Sequence, residues 1–266
     1  MSILTIEKEG NVAIVTLDDP DEKVNKLNEK LIGEFTGFLD DLRSDNELRG
    51  AILMSGKNDN FIAGADIDMF KSRETAEEME ELSWTGHEVL LEIEKFPKPI
   101  VACIHGSCMG GGTELALACH YRVVSDSRDT KIALPEVKLG LIPGMGGTQR
   151  LPRLIGEGRA KEMIYTGRIL GAEEALAFGL IERLAAPDKG PGGALAEALL
   201  LASEISDCGP LAVAQAKAAI LRGMEGNLDR GLEIENDCYR VVLKSRDRRE
   251  GLAAFTEKRK PEYAGE

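Results

Sequence analysis

Residues 3–8 form a short β-patterned run, and an almost unbroken apolar run fills Val12–Leu17, with Glu9-Gly10-Asn11 between them. Two short β-type runs joined by such a turn predict a hairpin. Over residues 27–42 the apolar positions Leu31, Phe35, Phe38, Leu39 and Leu42 recur at helical spacing and line one face. Ala51-Ile52-Leu53-Met54 carries no polar residue and stops at Ser55-Gly56, the pattern of a strand covered on both faces. Helical spacing returns over residues 75–95 through Met79, Leu82, Gly86, Leu90 and Ile93, and Pro97 and Pro99 end it. Ile100–Ile104 predicts another buried strand, residues 106–112 a glycine-rich turn, and residues 113–119 a helix. Residues 122–125 and 131–134 read as further strands.

Beyond about residue 150 the character changes. Ala172–Phe178 predicts a helix stopped by Gly179, and residues 180–184 a last strand. Residues 187–193, Pro-Asp-Lys-Gly-Pro-Gly-Gly, form the strongest linker signal in the chain, and alanine- and leucine-rich helical patterns then run to residue 257. Mixed β and α followed by helices alone predicts an α/β core over residues 1–190 and a C-terminal helical subdomain over residues 191–266.

Composition narrows the partners. The 266 residues are 43% hydrophobic and 30% charged, enough apolar material for a packed core. A formal net charge of −13 supplies no general cationic field for phosphates, so no nucleic-acid partner is expected. The N-terminal residues lack a signal-peptide pattern, and no stretch approaches the roughly 20 apolar residues of a membrane span. A cytoplasmic protein without membrane attachment is expected. Cys103, Cys108, Cys119, Cys208 and Cys238 are odd in number and contain no C-x-x-C, which predicts reduced thiols rather than a disulfide framework.

The turn Gly106-Ser107-Cys108-Met109-Gly110-Gly111-Gly112 lies between a buried strand and a helix, where free N–H groups favour negative charge on a ligand. It lacks the lysine of a phosphate-binding Walker loop and the spacing of a dinucleotide fingerprint. Gly106-Ser107-Cys108-Met109-Gly110 does fit a nucleophile elbow with cysteine at its tip. That chemistry needs a histidine base placed after both the nucleophile and the acid in chain order; the only histidines are His87, His105 and His120, and none follows His120, so Cys108 reads as a packing residue. The same three histidines show no metal-ligand spacing, and no metal is expected.

Two carboxylates remain. Glu114 falls in the first turn of its helix, where an acid commonly serves only the helix dipole. Glu136 follows a strand in Leu134-Pro135-Glu136, where a surface acid is the plain reading. A resemblance changes that weighing. Phe61-Ile62-Ala63-Gly64-Ala65-Asp66-Ile67, the run Gly110-Gly111-Gly112-Thr113-Glu114, and Leu134-Pro135-Glu136 continuing through residues 139–151 together resemble the crotonase superfamily, and within it the enoyl-CoA hydratases. The resemblance extends to Ala254-Phe255-Thr256-Glu257-Lys258-Arg259-Lys260.

It implies a spiral of ββα units followed by helices that form a homotrimer or a dimer of trimers. It implies hydration of a 2-enoyl-CoA to a 3-hydroxyacyl-CoA, as in fatty-acid β-oxidation, with no cofactor because the coenzyme A is part of the substrate. The N–H groups of Ala65 and Gly111 become an oxyanion hole, and Glu114 and Glu136 share one water. Glu114 takes the role of base and Glu136 that of acid, with the reverse assignment open. Ala63, Asp66, Ile67 and Gly144 border the substrate, and Phe255 and Lys258 reach the site of a neighbouring subunit. Where many hydratases carry lysine after Asp-Ile, this chain has Asp68, with Lys71 the nearest cation. The 22-position interval between the glutamates, with the segment 22–28, is similar to the hydratase part of multifunctional fatty-acid oxidation α subunits, although this chain has no room for their dehydrogenase half. The alternatives are another crotonase reaction (isomerisation, decarboxylation or thioester hydrolysis) and a non-catalytic CoA-binding subunit.

Overall fold

The computed structural model describes residues 2–186 and 192–266, so all but the last two residues of the 187–193 linker lie outside the described residues. The expected hairpin forms from β1 (Leu4–Glu9) and β2 (Val12–Leu17), antiparallel with Glu9 opposite Val12. Helix α1 (Glu29–Ser44) is capped by the Asn28 side chain and buries the predicted face, Leu31, Phe35, Phe38, Leu39 and Leu42.

Three similar units follow. The first contains β3 (Gly50–Ser55), β4 (Asn60–Ile62), α2 (Ile67–Lys71) and α3 (Ala76–Lys95). The second contains β5 (Ile100–Ile104), β6 (Ser107–Met109) and α4 (Gly111–Ala118). The third contains β7 (Tyr121–Ser125), β8 (Lys131–Ala133), a 3-10 turn at Glu136–Leu139, α5 (Gly147–Ile155), α6 (Glu157–Thr166) and α7 (Ala172–Phe178), after which β9 (Arg183–Ala185) closes the sheet. In each unit the first strand joins a six-stranded sheet of order β1-β2-β3-β5-β7-β9, parallel from β2 onward. The second strand joins a small parallel sheet, β4-β6-β8. The chain therefore winds as a ββα spiral, and the ends of the small-sheet strands deliver three successive loops to one place.

Burial explains the unbroken apolar runs. Every residue of β3 and β5 is buried. One face of the large sheet meets α1, α3 and α4, and the other meets α8 (Gly192–Ser206) through Ala194, Ala198, Leu201 and Ala202. Small side chains let that helix lie close to Ile52, Val101 and Val123. The first helix beyond residue 191 is thus a layer of the core, and the outer helical layer is α9 (Pro210–Gly223), α10 (Leu228–Leu243) and α11 (Arg246–Glu257). Among the described residues no helix is long and apolar enough to cross a membrane.

Asn25 sets the loop that approaches the small sheet. Wholly buried, its side chain donates to the Leu17 carbonyl (2.8 Å), Ser55 Oγ (2.9 Å) and the Phe61 carbonyl (3.3 Å), and accepts from Asp19 N–H (3.1 Å). Its own carbonyl accepts from Ala63 N–H at 2.9 Å, just before the first oxyanion candidate. Asn25→Ala would strand several buried polar groups and is expected to lower the unfolding free energy by about 2–3 kcal/mol, read by urea denaturation.

Candidate active site

The second small-sheet strand ends at Met109, and Gly110 then takes φ +51° and ψ −121°, a conformation that a residue with a Cβ rarely adopts. That kink starts α4 at Gly111, two residues earlier than the sequence pattern places it. Gly111 N–H consequently belongs to the first helical turn, which has no intrahelical acceptor. Thr113 fastens the turn from below, its Oγ1 donating toward the Cys108 and Ala133 carbonyls, each at 2.8 Å.

Ala65 comes to the same place by another route. Leu27 N–H donates to the Gly64 carbonyl at 2.9 Å, and Asp66 N–H to the Leu27 carbonyl at 3.0 Å. This parallel bridge uses the groups on either side of Ala65 and turns its own N–H the other way. A Cβ placed on Gly111 would lie only 3.6 Å from Ala65 N. Among the described residues neither N–H has an acceptor, so two adjacent amides stand ready for one.

Glu114 is 2% exposed, one helical turn beyond Gly111. Its Oε1 accepts from the N–H groups of Met145 and Gly147, both at 2.8 Å. Burial raises its pKa, opposed by those two N–H groups and by the positive charge of Arg150. Glu136 opens the 3-10 turn after Pro135. Its Oε1 lies 3.1 Å from where a Cβ of Gly110 would stand, which sets it against the turn that leads into α4. Its Oε2 is buried without a partner among the described residues. Burial first, and the charge of Glu114 in addition, push Glu136 up to about 7, against the pull of its own backbone N–H. The two acids thus feel each other electrostatically but are held differently: Glu114 by two N–H groups of a distant loop, Glu136 by its own backbone N–H, with Oε2 left without a partner among the described residues.

The shift of Glu136 makes stability depend on pH. A carboxyl raised from 4.5 to about 7 favours the folded state while it is protonated, and that advantage fades as pH rises between those values. Glu136→Gln, neutral at every pH, is therefore expected to unfold about 2–4 °C above the unmodified protein at pH 8, with no gain near pH 4.5, in thermal melts.

The geometry places no histidine beside Cys108 among the described residues. Cys108 is fully buried, its thiol pushed up to about 12 by burial, and its polar side-chain neighbour is Thr113 Oγ1 at 3.8 Å, not a histidine. His105 is buried against the Lys57 carbonyl, His120 accepts from Ile100 N–H at 2.8 Å and is pushed down to about 3 by burial, and His87 packs on Trp84. No group of three metal-ligating side chains occurs among the described residues.

Of the predicted substrate contacts, Ala63 and Asp66 flank the Ala65 bridge, and Asp66 Oδ1 lies 3.6 Å from Lys26 Nζ. Ile67 opens α2 and is 54% exposed beside the site. Lys71 pairs with Asp68 at 2.9 Å. The carbonyl of Gly144 accepts from Ser83 Oγ on α3, which ties down the loop leading to Met145. Phe255 and Lys258 lie elsewhere, on the last turn and cap of α11; Phe255 is 86% exposed and Lys258 holds φ +55°. Met145 and Gly147, which hold Glu114, escaped sequence reasoning, because a backbone donor leaves no side-chain signature.

The pattern that defines the enoyl-CoA hydratase/isomerase family matches residues 7–266. Superposition gives a TM-score of 0.92 with an enoyl-CoA hydratase from Bacillus anthracis, 37% identical over 99% of this chain and 100% of that one. The enoyl-CoA hydratase of Geobacillus kaustophilus HTA426 also gives 0.92, at 35% identity over 100% and 98% of the two chains. DspI of Pseudomonas aeruginosa gives 0.90, at 33% identity over 99% and 97%. The chain belongs to the enoyl-CoA hydratase/isomerase family, within the crotonase superfamily.

Proposed function

We propose that this enzyme adds water across the double bond of a trans-2-enoyl-CoA, giving a 3-hydroxyacyl-CoA. The observation that carries the reading is the pairing of two raised carboxyls, Glu114 and Glu136, with two adjacent unengaged amides, Ala65 and Gly111. The thioester oxygen would accept from both amides. Ionised Glu114, favoured by two N–H donors and Arg150, would remove a proton as the water oxygen bonds to Cβ. The π electrons then move onto the thioester oxygen, giving an enolate that the amides stabilise. Protonated Glu136 supplies a proton to Cα, and the carbonyl re-forms. Glu114 ends protonated and Glu136 ionised, and one proton passed between these neighbours restores the start.

Ala63, Asp66, Ile67 and Gly144 would border the bound thioester. Phe255 and Lys258 would serve the site of a neighbouring subunit, in a homotrimer or dimer of trimers. Exposed Met224, Leu228 and Leu252 on the same outer layer support such a contact. The family supports a cytoplasmic place in acyl-CoA breakdown.

The test uses crotonyl-CoA in D2O. Hydration predicts loss of the conjugated enoyl absorbance and a 3-hydroxybutyryl-CoA carrying one deuteron at Cα by NMR. A 3-enoyl product would make the protein an isomerase, and binding without turnover across a panel of enoyl-CoAs would make it a non-catalytic subunit.

A further inference from the structure

Met145 is gripped on every side. Its N–H donates to Glu114 Oε1 at 2.8 Å, and its carbonyl accepts from Arg150 Nη1 at 2.9 Å. Arg150 is itself fixed by Glu94 on α3, at 2.8 and 3.1 Å. The side chain runs between α3 and α4. A Cβ on Gly86 of α3 would stand 2.5 Å from the thioether sulfur and 2.7 Å from Cγ. At the other end, a Cβ on Gly111 would stand 2.7 Å from the terminal methyl. Both glycines sit in helices, where alanine is ordinarily the better residue, so the space they leave is used.

One residue therefore touches both halves of the reaction centre: its thioether lies against the residue that carries the second oxyanion amide, and its N–H holds the base. We infer that Met145 is a positioning residue, whose side chain, seated between Gly86 and Gly111, sets the Glu114 carboxylate relative to the oxyanion turn. The inference rests on the hydration reading above. Because Arg150 and Ser83 hold the loop backbone independently, a methyl group at Gly86 would act on the site through the Met145 side chain. It would drive the residue toward Gly111 or lift its N–H from Glu114. Displacements of this size near a reacting centre typically lower turnover by up to about 10²-fold.

The test is a double-mutant cycle on crotonyl-CoA hydration, with kcat, KM and the pH profile of kcat measured for Gly86→Ala, Met145→Ala and the double variant. Gly86→Ala is expected to lower kcat by about 10–100-fold with KM changed less than about threefold. Its acidic limb should move to higher pH, since Glu114 loses an N–H that favours its charge. In the double variant the obstructing sulfur is gone, and kcat should return to the level of Met145→Ala alone. That single variant should itself show a fall in kcat of about tenfold and the same displaced limb, which keeps the inference testable if Gly86→Ala does not fold. Additive losses, or a Met145→Ala enzyme with unchanged kcat and pH limb, would overturn it. The unmodified protein is the control: if it hydrates no enoyl-CoA, the hydration reading fails, whereas an active protein with additive variants fails this inference alone.

Discussion

Glu136→Gln is expected to lower kcat for crotonyl-CoA hydration by about 10³-fold, within the range that a well-placed proton donor contributes. The carboxyl is held up to about 7 by burial and by the charge of Glu114, and so keeps its proton in a substantial share of the molecules at neutral pH, where an ordinary glutamate is almost wholly ionised. Glutamine keeps the shape and the neutrality but has no proton acidic enough to give to Cα. KM should change little, because the amides of Ala65 and Gly111 and the residues bordering them are untouched. The pH dependence carries a second signature. In the unmodified enzyme kcat/KM should begin to fall as pH rises through about 7, when Glu136 loses its proton, and that limb should vanish in the variant's residual rate. Stopped-flow absorbance across pH 5–9 would read both effects; near-full activity in Glu136→Gln would remove the residue from the reaction.

Glu114→Gln should be about as damaging, by roughly 10²–10⁴-fold in kcat, for a different reason. The glutamine oxygen can still accept from Met145 and Gly147 N–H, so the loop that carries them should stay in place. What disappears, on the proposed mechanism, is the group that takes the proton of the attacking water. A buried charge also disappears, so the variant should fold at least as well as the unmodified protein. A large loss of turnover without loss of thermal stability separates a chemical role from a structural one, and a loss of both would point to the loop.

Periodicity found the elements whose faces are covered within this chain and failed where an element is short. Ala172–Phe178 and its glycine stop at Gly179 (φ +77°) are where the sequence pattern puts them, because a packed amphipathic turn and a left-handed terminator leave clear marks. The strands Asn60–Ile62 and Ser107–Met109 were not read: the first offers just two apolar residues after a polar stretch, and the second lies inside what reads as a glycine turn. Helix α4 was placed two residues late because Gly111 and Gly112 are poor helix formers, yet that early start gives Gly111 its free N–H. Met79 and Leu82 lie on the predicted stripe of α3 but remain half-buried, while Gly86, Leu90 and Ile93 farther along it are buried.

The site divides in the same way. Each glutamate alone reads as an ordinary surface or dipole-serving acid, and their pairing was legible only through resemblance. Their different supports could not be read at all. The N–H groups on Glu114 come from residues more than thirty positions away, and the unpartnered oxygen of Glu136 is a property of packing. Asn25 was equally silent, a single polar residue whose four side-chain partners are scattered from Leu17 to Phe61.

The central claim is one of convergence, and a crystal structure with butyryl-CoA, which has no double bond to hydrate, addresses it most directly. The account predicts the thioester oxygen within hydrogen-bonding distance of both Ala65 N and Gly111 N, and one ordered water bridging the carboxyl groups of Glu114 and Glu136 beside the β-carbon. A thioester oxygen seated away from those amides, or a β-carbon out of reach of both acids, would contradict it.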